Sequence, residues 1–280
     1  MNHTEGKTMF NPKLCMTVVK QRGAGAPFLY GGNLIKGIEA AGEFGYDCVE
    51  LHVRAPEELE LQKLEQALDR TGLCVSALGT GRAYVDDGLS LIDSQTRELA
   101  LQRLKGFLDA ASVLGAKVIV GCLRGNIPSP EQKKECLDRL AEAMARADLY
   151  ALERGVTLLL EPINRYENNY LCSVGDAADF IRSAGLTSTG ILADTFHMNI
   201  EERDPVSALF DNADLIQYIH AADSNRLYPG GGHTDFPALF AALKQSGYKG
   251  EISAECLPLP SDELAATRWL QNMKGYLSNL

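Results

Sequence analysis

"GILADTFHMNIEE", residues 190–202, sets a short apolar run against an abrupt polar end. Ile191, Leu192 and Ala193 lead straight into Asp194, and His197 follows three residues later. Asp is a favoured helix N-cap, so the stretch alone reads equally well as a strand followed by a capped turn. The pattern recurs. Apolar runs lie at LCMTVV (14–19), CVELHV (48–53), CVSALG (74–79), KVIVGCL (117–123), VTLLLE (156–161), GILAD (190–194), LIQYIH (215–220) and GEISAE (250–255). Between them apolar residues return every three or four positions, as in 96–115 and 131–155, which is the period of an amphipathic helix. Gly45, Gly72, Gly115, Gly155 and Gly247 stand just before the next run, where glycine suits a helix C-cap.

Near-continuous apolar strands separated by helices mean a parallel sheet covered on both faces. Eight such units predict an α/β fold, a closed (β/α)8 barrel rather than a doubly wound sheet, at about 31 residues per unit. No linker or low-complexity tract divides the chain. One barrel domain is expected over 13–280, behind a mobile polar tail of residues 1–12. The composition, 45% hydrophobic and 23% charged, is that of a globular domain. A net charge of -10 disfavours a nucleic-acid partner, which needs a basic footprint. It leaves room for a small anionic substrate held by one or two arginines. No apolar run approaches the roughly 18 residues of a membrane span, and MNHTEGKTMFNP lacks the core of a signal peptide. Cysteines are scattered without C-x-x-C pairs, which predicts reduced thiols in a cytoplasmic protein.

Barrel active sites form at the C-terminal ends of the strands. The last four runs end in Glu161, Asp194, His220 and Glu255, one per unit. Three carboxylates and an imidazole brought to one rim repel unless a cation sits among them. The oxygen-rich set suits Mn2+ or Mg2+, with Co2+ and Zn2+ as alternatives. The loops beyond carry Asn164, Arg165, Glu167, His197, Glu202, Asp223, Arg226 and His233. Such side chains orient a polyhydroxylated substrate, although each alone reads equally as a solvated loop residue. Glu50 and His52, ending the second run, are further candidates to line the pocket. GxGxxG is absent after the first strand, so no dinucleotide is expected.

With "EPINRYE", "GILADTFHMNIEE", "HAADSNRLYPGGGHTDF" and "SAECLPLP" in place, the chain resembles the ketose 3-epimerases of the xylose isomerase-like TIM-barrel superfamily. These stretches, with "GTGRAYVDDGLSL" and "VGCLRG", look most like the 5-keto-L-gluconate epimerases, which form D-tagaturonate. The resemblance implies one Mn2+-like ion held by Glu161, Asp194, His220 and Glu255. It implies Glu161 and Glu255 as the acid–base pair, and His197 and Arg226, with Glu167 beside His197, on the substrate oxygens. It also suggests a homo-oligomer. Epimerisation beside a ketone needs two carboxylates on opposite faces of the substrate, which fits that assignment. A sugar acid needs a carboxylate receptor, and Arg124 and Arg82, just past strands four and three, are the candidates. An aldose–ketose isomerase and an inosose-type dehydratase are rival reactions on the same metal site. A metal- or sugar-binding barrel is the non-enzyme alternative. The superfamily's DNA repair endonucleases need more histidines at the rim than this chain offers.

Overall fold

Residues 10–280 are described by a computed structural model. Most of the tail expected at 1–12 lies outside these residues. Within them Phe10 packs against the core and Pro12 is buried. Eight parallel strands form the barrel: β1 Leu14–Val19, β2 Cys48–His52, β3 Cys74–Gly79, β4 Lys117–Val120, β5 Leu158–Leu160, β6 Thr189–Asp194, β7 Ile216–His220 and β8 Glu251–Ala254. Each pairs with the next. β1 also pairs with β8, Leu14 opposite Ile252, which closes the sheet. A two-residue strand, Tyr30–Gly31, pairs alongside β1.

Among the described residues ten α-helices accompany the strands: α1 Leu34–Phe44, α2 Leu61–Thr71, α3 Gly81–Asp87, α4 Arg97–Leu114, α5 Lys133–Glu153, α6 Val174–Ser183, α7 Thr195–Glu201, α8 Pro205–Asp211, α9 Phe236–Gln245 and α10 Asp262–Ser278. The five glycines expected at helix ends all have positive φ, from 64° to 85°. No helix among the described residues is long and apolar enough to cross a membrane.

Alternate strand residues face opposite ways, and both sides are buried. Inside the barrel Ala77, Ile119, Leu159, Leu192 and Tyr218 form a small plug. Outside, the other strand residues and the helices share a much larger core, which includes Trp269 and Phe107. The N-terminal rim is closed by carboxylates spent on backbone. Asp148 of α5, 3% exposed, accepts from the N–H groups of Thr187 and Ser188 at 2.9 Å each and from Thr189 Oγ1 at 2.6 Å. Asp47 accepts from Leu14 N–H at 2.8 Å. The plug fills the middle of the barrel, which leaves the opposite rim for a site.

Candidate active site

Asp194 and His220 end β6 and β7, while Glu161 and Glu255 stand one residue past β5 and β8. One ligand atom from each of these four buried residues lies within 4.8 Å of the others. Asp194 Oδ1 accepts from Phe196 N–H at 2.7 Å and caps α7, but Oδ2 is buried with no partner. His220 Nε2 donates to Glu50 at 3.0 Å. Its Nδ1 has no hydrogen-bond partner and lies 3.5 Å from Glu255, 3.8 Å from Glu161 and 3.9 Å from Asp194. Buried polar atoms are rarely left unpaired. Two of them, turned into a ring of three carboxylates and one imidazole, fit a divalent cation.

The charges are unevenly distributed. Burial, and then the charge of Glu255, push the Glu161 carboxyl well above its ordinary range. Burial likewise raises Asp194, to about 7. Burial acts upward on Glu255 too, but the charge of His220, with that of Arg226, outweighs it and holds it at about 2. His197 is pushed down to about 3 by burial and by the Arg226 charge, so its ring is neutral. Asn164 fixes which nitrogen carries the proton. Its amide Nδ2 lies 2.9 Å from Glu167 and 2.7 Å from His197 Nδ1, while its Oδ1 accepts from Tyr166 N–H. His197 Nδ1 therefore accepts, and Nε2–H points toward Asp194 and Glu161, at 3.7 and 3.9 Å.

Arg226 completes the rim. It donates to Glu167 at 2.8 Å and to Glu255 at 3.2 Å, and lies 4.6 Å over the Phe196 ring. Its φ is 62°, a left-handed conformation that costs a non-glycine residue of order 1 kcal/mol. Asp223 offsets that cost by holding the loop, accepting from Gly230 N–H at 2.7 Å and Thr234 N–H at 3.0 Å. Beside the cluster opens a cavity of about 300 Å³, walled by the 23–28 loop, with Arg82 and His52 in its lining.

A family profile described as "Xylose isomerase-like TIM barrel" matches residues 38–273. The chain belongs to the xylose isomerase-like TIM-barrel family. The L-ribulose 3-epimerase of Methylomonas is 30% identical over 229 residues, 79% of this chain and 77% of that one. The 3-dehydro-D-guloside 4-epimerase of Escherichia coli is 29% identical over 80% of this chain and 87% of its own. The apo crystal structure of 3-keto-D-glucoside 4-epimerase from E. coli superposes with a TM-score of 0.80 at 25% identity, covering 95% of this chain and all of that one.

Within this member of the family, the cavity takes in Glu161, Glu167, His197, His220, Arg226, Glu255, His52 and Arg82, while Asp194 belongs to the cluster but not to the cavity lining. Arg124 is a correction. It is fully buried, and the turn at 122–124 throws it away from the cavity. There it donates to the carbonyls of Gly121, Tyr170 and Glu161 at 3.2, 2.9 and 3.0 Å. It braces the loops after β4 and β5 instead of meeting a ligand. Glu50 also lies outside the cavity lining, below His220. Arg165 pairs with Glu201, Glu202 accepts from Val174 N–H, and His233 bonds Ser224. Two glycines missed in the sequence reading shape the site. A Cβ on Gly121 would meet Glu161 Oε2 at 2.3 Å, and one on Gly79 would meet His52 Nδ1 at 2.1 Å. Their signal was there: the third and fourth strands each run into a glycine.

Proposed function

We propose that this chain is a sugar epimerase that inverts the carbon beside a ketone. We assign it the sugar acids 5-keto-L-gluconate and D-tagaturonate as its substrate pair and Mn2+ as its cation. The observation that carries the reading is the placement of Glu161 and Glu255 at the two ends of an arc that Asp194 and His220 fill. Epimerisation breaks a C–H bond next to a carbonyl and returns a proton to the opposite face. It needs a base on one side and an acid on the other. In the cation-free site burial favours the protonated form of Glu161, whereas Glu255 is ionised. In one direction Glu255 takes the substrate proton on one face while Glu161, protonated for that direction, returns one to the other. The reverse reaction starts from the exchanged states.

His197 Nε2–H and the Arg226 guanidinium donate to the substrate oxygens beside the reacting carbon, and these bonds strengthen as negative charge grows there. A divalent cation held by Glu161, Asp194, His220 and Glu255 would supply Lewis-acid stabilisation, worth several kcal/mol. The relatives support the reaction class, because a 3-epimerase of L-ribulose and a 4-epimerase of a 3-dehydro sugar both invert a carbon adjoining a ketone. Arg82 supports the acid. It lies at the cavity, 14% exposed, 2.8 Å from Asp86. The free thiols of all seven cysteines fit a reducing cytoplasm.

The test is proton NMR in D2O after loading with Mn2+, with the ion chelated before reading. 5-Keto-L-gluconate is run beside D-fructose and D-tagatose. Deuterium entering the carbon next to the ketone as the epimer appears supports the reading. Turnover of only the neutral ketoses removes the sugar acid, and no exchange in any of the three removes the epimerase.

A further inference from the structure

Below the cation cluster a single carboxylate serves two imidazoles. Glu50 is fully buried at the upper end of β2. Its Oε1 lies 2.6 Å from His52 Nε2 and 3.1 Å from His220 Nε2. Its Oε2 lies 3.0 Å from His220 Nε2 and 2.9 Å from the Tyr218 hydroxyl. An ionised carboxylate only accepts, so every partner must donate. Both imidazoles therefore carry a proton on Nε2, which leaves Nδ1 to face outward. For His220 that atom is the unpartnered one beside Glu161, Asp194 and Glu255. His52 lines the cavity. Its Nδ1 bonds no protein atom among the described residues. Gly79 provides the room, since any Cβ there would strike that ring.

We propose that Glu50 is a positioning residue for both halves of the site: it holds His220 Nδ1 toward the cation and His52 Nδ1 toward the cavity as an acceptor for a substrate hydroxyl. The inference rests on the reading of the cluster as a cation site for a hydroxylated substrate. Carboxylates behind a ligating histidine fix its ring and are worth about 10–100-fold in metal affinity. Here the same group also orients a ring that touches no cation ligand through a bond of its own. A change at Glu50 is therefore felt by cation and substrate together, whereas a change at His52 is felt by substrate alone.

The experiment has three arms. Long-range proton–nitrogen NMR on 15N-histidine protein loaded with diamagnetic Zn2+ reads the tautomers directly. Both His52 and His220 are expected as Nε2–H, and an Nδ1–H form of either overturns the proposal without any variant. Calorimetric Mn2+ titration of the metal-stripped protein follows. Glu50→Gln is expected to bind 10–100-fold more weakly, while a change under twofold overturns it. His52→Leu is expected to keep Mn2+ affinity within about twofold and raise the KM for the turned-over sugar about tenfold with kcat little changed. An unchanged KM removes the role of His52. Wild-type protein that binds no Mn2+ at all would instead sink the cation reading on which the inference rests.

Discussion

The two oxygens of Asp194 have different partners. One caps α7 through Phe196 N–H and the other is buried and unpaired at the cluster. The cap uses one oxygen and leaves the other free for the ligand role proposed above. Asp194→Asn keeps the cap and removes the charge. We expect Mn2+ affinity to fall on the order of 100-fold, while the metal-free protein melts at a higher temperature, because burial penalises that charge. Calorimetry and a thermal melt check both halves. The pH dependence follows from the same groups. Asp194 at about 7, and Glu161 above its usual range, hold protons that a cation must displace. Cation affinity should therefore rise between pH ~5 and ~8, with protons released on binding. Stability of the metal-free protein runs the other way. The folded acids keep protons that the unfolded chain loses above its ordinary carboxyl pKa, so stability falls as pH climbs toward 7. The depressed Glu255 opposes this only below pH ~5, and the neutral His197, whose unfolded ring binds a proton below pH ~6.5, opposes it up to that pH. A metal-free melting temperature that rises from pH ~6.5 to ~8 would contradict the assignment.

At the scale of elements, the strands were legible because buried parallel strands are written as continuous apolar runs. The 14–19 and 74–79 runs match β1 and β3 residue for residue. The 117–123 run overshoots, because β4 stops at Val120 and Cys122–Arg124 form a tight turn. Apolar character cannot show that turn, nor the direction in which it sends Arg124. The carboxylates of the rim were readable from their spacing. The bracing by Glu50 was not, since a residue two places from a strand end gives no sign of what lies across the barrel. Arg124→Ala should leave three loop carbonyls short of a donor and cost about 3 kcal/mol in urea unfolding. Discrimination between a keto acid and a neutral ketose should not change. Gly121→Ala acts by another route. The new Cβ would strike the Glu161 carboxylate. We expect kcat to drop about 100-fold with the circular dichroism spectrum unaltered.

For the whole molecule, closure between β1 and β8 brings residues from opposite ends of the sequence to one ring. A cation held by Glu161, Asp194, His220 and Glu255 would also tie the last four strands together, so its binding energy would become folding energy. At a hundredfold excess over Kd, Mn2+ should add about 2.7 kcal/mol, which raises the melting temperature by about 5 °C, and a chelator should reverse it. The two rims spend carboxylates differently. Asp148 gives its oxygens to the backbone at the N-terminal end of β6, whereas Asp194 at the other end of that strand keeps one back. In β6 one end stitches the scaffold and the other stores repulsion for a ligand to relieve. Heritable change can therefore act on the two ends separately. A lineage can rewrite the upper loops for a new sugar while the lower stitching stays as it was, and the reserve of stability held below decides how much novelty the upper rim can bear.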